Sequence, residues 1–297
     1  MFLSGQPRPT TVYHVGGRGG IHRSFGTWPL PLRYVTFEPD GAEAARLRLL
    51  AGDAFEVEEV AVGAQTGRRP FNLYSLITNP GAAPSGELSS LLQLAPSRPH
   101  RYRDADISLA AKVDIDLDTI DNVAARRQES PTFLVADIQG AEIMALEGAR
   151  TTLRQSVLGV RLEVAFMPLY EDQPLFGDVD ATMRACGFEL SRIERCGSPT
   201  FGPSTDAGPF SASLEDARPA WADAMYVRSV PPHTADGRWR GIDLANLLYY
   251  TIANGVGSVG LDLLFEALEQ GYLADSLGEL DPSIAAAVGR HALEHLE

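Results

Sequence analysis

Apolar residues along this chain gather into short runs separated by polar, glycine-bearing turns and amphipathic stretches, the alternation expected of a parallel sheet with helices on both faces. Val12–Val15, Leu32–Phe37 and Phe55–Val62 read as the first three strands, Phe133–Ala136 as the central one and Val157–Phe166 as the fifth. Helices are predicted over Ala42–Leu50, from near Thr119, after Gly140 and over Asp178–Cys186, where Gly187 is a good stop. Phe188–Ile193 and Ala224–Val230 should close the sheet as an antiparallel edge. The turn Gly63–Gly67 predicts a hairpin with Phe71–Tyr74, and Val113, Ile115 and Leu117 alternate with Asp114, Asp116 and Asp118 as a further strand. Residues 78–103 lose periodicity and gather prolines, which marks a functional or disordered loop. Three more helices are expected over Ile242–Ile252, Leu261–Leu268 and Ile284–Leu296, whose apolar faces must bury against the main domain or another copy of the chain.

Composition narrows this picture. The 297 residues, 44% of them hydrophobic, suffice for one full α/β domain, placed at 1–232, and a helical extension at 233–297 that is expected to support a homodimer. Lys plus Arg number 25 against 39 Asp plus Glu, so 25 − 39 = −14, which argues against a nucleic-acid partner. Cys186 and Cys196 have neither zinc spacing nor a disulfide framework, as in a reducing compartment. No apolar run is long enough to span a membrane and the first residues lack the pattern of an export signal. A cytoplasmic protein without a membrane partner is the expectation.

Candidate chemistry centres on FLVADIQGAEIMALEGA, Phe133–Ala149, which reads as strand, acid, turn and helix. Ligands of open α/β sheets sit beyond the carboxyl ends of the strands, which places Asp137, Gln139 and the turn at Gly140 where chemistry is expected. The first strand runs into Gly16, Gly17, Arg18, Gly19 and Gly20, where glycine lets backbone approach a ligand, although a plain strand-to-helix turn would look the same. The dinucleotide glycine spacing fails at His22, which disfavours a nicotinamide dehydrogenase, and no Walker loop occurs. Glu38 ends the second strand, where a carboxylate accepts ribose hydroxyls or is simply solvated. His14 and His22 brace the loop or act as bases. Asp137, Glu163 and Asp223 could share a metal only by meeting in space, and no metal site is assigned. Arg98, His100, Arg101 and Arg103 form a basic cluster that either holds an anionic acceptor or is a solvated loop face.

From about Val12 to Arg228 the chain resembles the FkbM family of S-adenosylmethionine-dependent methyltransferases. The likeness rests on FEP at Phe37–Pro39, AVGAQTG at Ala61–Gly67, DIQGAE at Asp137–Glu142 and PLYEDQ at Pro168–Gln173. It implies a Rossmann-like class I methyltransferase fold with a seven-stranded, mostly parallel sheet whose last strand is antiparallel. It also implies O-methylation of a hydroxyl on a small molecule or glycan, with S-adenosylmethionine as cofactor. Gly16 and Gly20 fall on the two glycines of the family's D-V-G-A-N-x-G loop, in which His14 replaces the acid and Arg18 the asparagine. Carried over residue by residue, Gly16, Gly20, Glu38 and Asp137 would hold the cofactor. Gln139, Glu142 and Tyr170 would meet the acceptor, and Ser89 and Ser90 would belong to the loop above it. Asp137 and Glu163 are the catalytic candidates. Asp137 orients or deprotonates the acceptor, or else bonds the cofactor or caps its helix, and Glu163 contacts the acceptor or braces Arg161. For Glu142 a helix dipole alone would favour its charge. A non-catalytic binding protein that keeps the fold with an altered first loop is the competing reading.

Overall fold

The computed structural model describes residues 9–50, 55–77, 86–96, 106–197, 219–232 and 238–269. Its central strands are the most apolar runs. β1 (Thr10–Val15) and β7 (Phe133–Ala136) are buried at every position, as strands covered on both faces must be. β1 pairs in parallel with both β7 and β2 (Leu32–Phe37). β3 (Phe55–Glu58) extends the sheet beyond β2, and β8 (Gly159–Ala165) beyond β7. β10 (Trp221–Arg228) runs antiparallel between β8 and β9 (Phe188–Gly197). The order is β3-β2-β1-β7-β8-β10-β9, seven strands of which β10 alone is reversed. The last two strands are thus an antiparallel pair as expected, but the final one inserts inside the sheet and leaves β9 at the edge.

Alternate side chains of these strands feed two cores. Tyr13, Val15, Leu134, Ala136, Val160 and Leu162 face α2 (Ile120–Arg127), α3 (Glu142–Glu147), α4 (Arg150–Gln155) and α5 (Phe176–Ala185). Val12, Tyr34, Phe133, Val135 and Met225 face the opposite way. That second face is covered by α1 (Gly41–Leu50), α6 (Gly241–Ala253) and α7 (Gly257–Glu269), through Leu47, Leu244, Leu247, Tyr250 and Leu264. Tyr250 stacks on Phe133 with ring centroids 4.5 Å apart, and a side chain on Gly159 would fill its seat. Of the two covers the sequence left open for these helices, the one described for α6 and α7 is the main sheet. The third expected helix, over residues 284–296, lies outside the described residues, and so does any dimer contact it would make. Among the described residues no helix is long and apolar enough to cross a membrane.

A second sheet, unforeseen in the sequence, roofs the carboxyl ends of the first. The strand expected over Phe55–Val62 breaks at Glu59 and Val60, and its end, β4 (Ala61–Val62), leaves the main sheet to pair in parallel with β6 (Asp106–Asp118). β5 (Gly67–Ile77) runs antiparallel to β6 along its whole length. The hairpin partner of Phe71–Tyr74 is therefore β6, which lies between β4 and β5. Residues 86–96 cross this roof and are tied at Asn72–Ser90 and Leu94–Tyr170. The basic cluster Arg98, His100, Arg101 and Arg103 lies outside the described residues.

Candidate active site

The chain passes from β1 outward to β3 on one side and from β7 to β8 on the other, so a crevice opens between β1 and β7, the switch point where such sheets bind ligands. There Gly16, at φ +78°, lets the loop after β1 lie against the loop after β7, and a Cβ on it would collide with the Asp137 carbonyl. Above this point a cavity of about 720 Å³ extends in both directions, within the size range of small-molecule pockets. One half is lined by Gly16, Arg18, Phe37, Glu38 and Val60–Val62, the other by Asp137–Glu142, Glu163, Met167–Tyr170, Arg195 and Trp221.

In the first half Glu38 is buried at the end of β2, with Oε1 accepting the Asp40 N–H at 2.9 Å. Burial raises its pKa, against the Asp40 hydrogen bond and the charge of Arg18. The Arg18 Nε stands 3.5 Å from Glu38 Oε2 while its Nη2 donates to Asp40 Oδ2 at 2.8 Å. Gly20, at φ +84°, closes the loop by donating to the Gly17 carbonyl at 2.9 Å and does not line the cavity. His14 is buried on the far side of β1, its Nδ1 2.7 Å from the Tyr34 hydroxyl and 3.2 Å from the Gly20 carbonyl oxygen. Burial, helped by the neighbouring His22, lowers its pKa to about 3, so it is a neutral brace for the loop at any ordinary pH. His22 is also lowered, to about 4, by burial and then by Arg161. Neither imidazole lines the cavity.

The second half is built round an amide between two acids. Gln139, held at φ +56°, donates from Nε2 to Asp137 Oδ1 at 2.7 Å and to Glu163 Oε2 at 2.8 Å. Asp137 turns its carboxylate to the cavity, and burial among the surrounding walls raises its pKa against the Gln139 hydrogen bond. Glu163 is raised well above the ordinary range by burial and then by the charges of Asp137 and Glu142. Two carboxyl groups this close resist ionising together, so the pair titrates as a unit, with Glu163 raised the more strongly of the two. Glu142 is buried too, its Oε1 accepting the N–H groups of Ile138 at 3.0 Å and Gly140 at 3.3 Å, which ties the turn. Burial lifts its pKa to about 7.

Carboxylate oxygens of Asp137, Glu142 and Glu163 lie within 4.8 Å of one another, close enough to share a cation. Asp223, grouped with Asp137 and Glu163 in the sequence, instead accepts a hydrogen bond from Arg161 Nη2 on Oδ2 at 2.9 Å. Arg161 also pairs with Glu194 and donates to Asn254 Oδ1 at 3.2 Å, so its brace is Asp223 and Glu194 and not Glu163.

Tyr170 is buried between the halves and the roof, donating to the Leu88 carbonyl at 2.8 Å with its oxygen 3.2 Å from Gln139 Oε1. Gln173 Oε1 accepts the N–H groups of Leu169 at 2.7 Å and Tyr170 at 3.1 Å, which gives the PLYEDQ stretch its shape. Ser90 Oγ donates to the Gln139 carbonyl at 2.7 Å and Ser89 Oγ accepts the Tyr74 N–H at 3.2 Å, so both serines fasten the roof. Arg195, Trp221, Phe71 and Leu76 line the cavity without having been singled out. For Phe71 the polar–apolar alternation of β5 was a usable signal; for Arg195, at the end of an edge strand, there was none.

The FkbM methyltransferase domain model matches residues 32–190. Among solved structures, the FkbM methyltransferase of Methylobacillus flagellatus KT is 16% identical with a TM-score of 0.41, the match covering 75% of this chain and 45% of that one. This chain thus spans under half the length of that relative. Magnesium protoporphyrin IX methyltransferase from Synechocystis PCC 6803, solved with S-adenosylmethionine bound, is 10% identical with a TM-score of 0.37, covering 75% of this chain and 71% of that one. Among curated proteins none matches. With the family model spanning more than half of its residues, from the strand that ends in Glu38 past the loop of Tyr170, this chain belongs to the FkbM methyltransferase family, whose cofactor is S-adenosylmethionine.

Proposed function

We propose that this protein methylates a hydroxyl group of a small molecule or sugar, with Asp137 taking the hydroxyl proton. The observation that carries the reading is the acid pair at the ends of β7 and β8. Asp137 lines the cavity beside Glu163, whose carboxyl is raised further by burial and the neighbouring charges, and the raised pKa of Asp137 makes it a better base than an ordinary aspartate.

The residues present fit the cofactor. Gly16 seats the loop after β1 against the loop after β7 at the cavity, and Glu38 is a buried carboxylate on the cavity wall. Glu38 would accept the ribose hydroxyls, the backbone at Gly16–Gly19 would meet the methionine end, and Val60–Val62 would give the purine an apolar wall. When bound, the cofactor supplies a methyl group on a sulfonium, a leaving group that needs no protein assistance. What the chain adds is placement and proton removal. Gln139 aims Asp137, and Tyr170 fastens Gln139 to the roof, of which Gly86–Ser89, Leu91 and Phe71 line the cavity. The net charge of −14 agrees with a small acceptor rather than a polyphosphate.

A second reading, a binding protein without turnover, is favoured by Arg18. Its guanidinium lies against the face of Glu38 that ribose would use, and His14, at the position of the family's acid, points away from the cavity. Methyl-labelled S-adenosylmethionine offered with a panel of hydroxylated acceptors separates the two. The proposal expects an alkali-stable methyl ether formed by the wild type and lost in Asp137→Asn, whereas cofactor binding with no transfer to any acceptor favours the binding protein.

A further inference from the structure

We infer that Arg195 binds an oxyanion on the methyl acceptor, so that the acceptor is a small hydroxylated anion and not a neutral alcohol. The inference rests on the hydroxyl-transfer reading and names its substrate class. Arg195 sits near the end of β9 on the wall of the acceptor half, beside Trp221 and Asp223. Asp223 pairs with Glu194 but Trp221 with Gly197, so the ladder slips and Arg195 falls in the bulge. Its backbone is left-handed, at φ +52°, which a residue with a side chain adopts only where its surroundings impose it. Bulges beside active sites serve to re-aim a side chain, and this one turns a guanidinium to the cavity.

What that guanidinium touches is little. Among the described residues it donates no hydrogen bond, and its one ion pair is with Asp223 Oδ2 at 3.7 Å, an oxygen that Arg161 already holds at 2.9 Å. A half-exposed pair of that length contributes little to folding, so it does not account for the strained backbone. Arg161, two strands inward, shows the contrast: it is buried and fully engaged with Glu194, Asp223 and Asn254. Among the described residues the other cation on the cavity wall, Arg18, is committed to Asp40 and Glu38 in the cofactor half. Among the described residues Arg195 is therefore the least committed positive charge on the acceptor wall, with a long ion pair to Asp223 and a charge felt by Asp137. A guanidinium presents parallel N–H donors that match a carboxylate or a phosphate.

The test is calorimetric titration of the full chain, loaded with S-adenosylhomocysteine, with D-glucuronate, D-glucose 6-phosphate and D-glucose. At least one of the two anions should bind about tenfold more tightly than glucose, and Arg195→Gln should remove that preference while leaving affinity for S-adenosylhomocysteine within about twofold. Preference for glucuronate alone identifies a carboxylate, and for the phosphate alone a phosphoryl group; either supports the inference. Equal binding of all three, no binding of any, or an anion preference that survives in Arg195→Gln overturns it. Failure of the hydroxyl reading looks different: methyl-labelled S-adenosylmethionine would then give an alkali-labile ester on glucuronate instead of an ether, with the dependence on Arg195 intact.

Discussion

The two halves of the cavity are made differently. In the cofactor half each functional group belongs to one short stretch and is held by its own neighbours: Gly16 by the turn it makes, Glu38 by the Asp40 N–H two residues on. In the acceptor half the groups come from far apart in the chain. Gln139 bridges Asp137 and Glu163, Tyr170 reaches back to Leu88, and Ser90 holds the Gln139 carbonyl. The first half is a local motif with a fixed task, whereas the second is a tertiary assembly whose charge is set by mutual burial. Cofactor binding should therefore depend on single residues, and acceptor chemistry on a coupled network.

The change that would do most damage removes the seam between the halves. Gly16→Ala places a Cβ against the Asp137 carbonyl at a left-handed backbone position, and should cost about 2 kcal/mol or more of stability together with measurable cofactor binding. Urea unfolding and calorimetry check it; an unchanged midpoint would mean that the loops do not touch. Next, Asp137→Asn should lower the rate of the transfer step by about 10² to 10⁴, the usual worth of a positioned base. In the wild type that rate should rise with pH through an apparent pKa above the ordinary aspartate range, since burial raises Asp137, and the rise should vanish in the variant.

Smaller effects follow on each side. Glu38→Gln should weaken S-adenosylmethionine binding by roughly tenfold to a hundredfold without unfolding the chain, as expected for losing hydrogen bonds to a charged acceptor. For Glu142 the expected effect is on stability. Its pKa is raised to about 7 in the folded chain, so between the ordinary glutamate range and pH 7 the folded state binds this proton more tightly than the unfolded state. Its contribution is therefore full in acid and is lost as pH rises through that window. Glu142→Gln should flatten that decline, by roughly 3 kcal/mol at most, in unfolding curves taken from pH 4.5 to 8.

The same contrast governs what the sequence discloses. Glu38 and Gly16 could be located by counting along strands because strand end and glycine turn are local properties, and β1, β2 and β7 stood out because continuous burial demands continuous apolar runs. Asp137 and Glu163 could be placed at strand ends, but not the coupling of their carboxyl groups, which arises only when the fold brings them together round Gln139. The roof escaped because β6 pairs with two earlier segments, β5 and β4, at separations from 29 residues (Ile77 with Asp106, 106 − 77) to 56 (Ala61 with Leu117, 117 − 61), and alternation along a strand does not name its partner. α6 looked like an appendage because an apolar helix face does not say what covers it. The glycine at 159 that seats Tyr250 acquires meaning only in three dimensions. Arg195 depends on a ladder slip between β9 and β10, for which a single strand carries no pattern.

The central claim is that Glu38 serves the cofactor and Asp137 the acceptor. Its most direct test is titration of the wild type, Glu38→Gln and Asp137→Asn with S-adenosylmethionine in one calorimetric series, which needs no knowledge of the acceptor. The dissociation constant should rise roughly tenfold or more in Glu38→Gln and stay within about twofold of the wild type in Asp137→Asn. An affinity lost in Asp137→Asn but kept in Glu38→Gln would contradict the account and make Asp137 a cofactor residue.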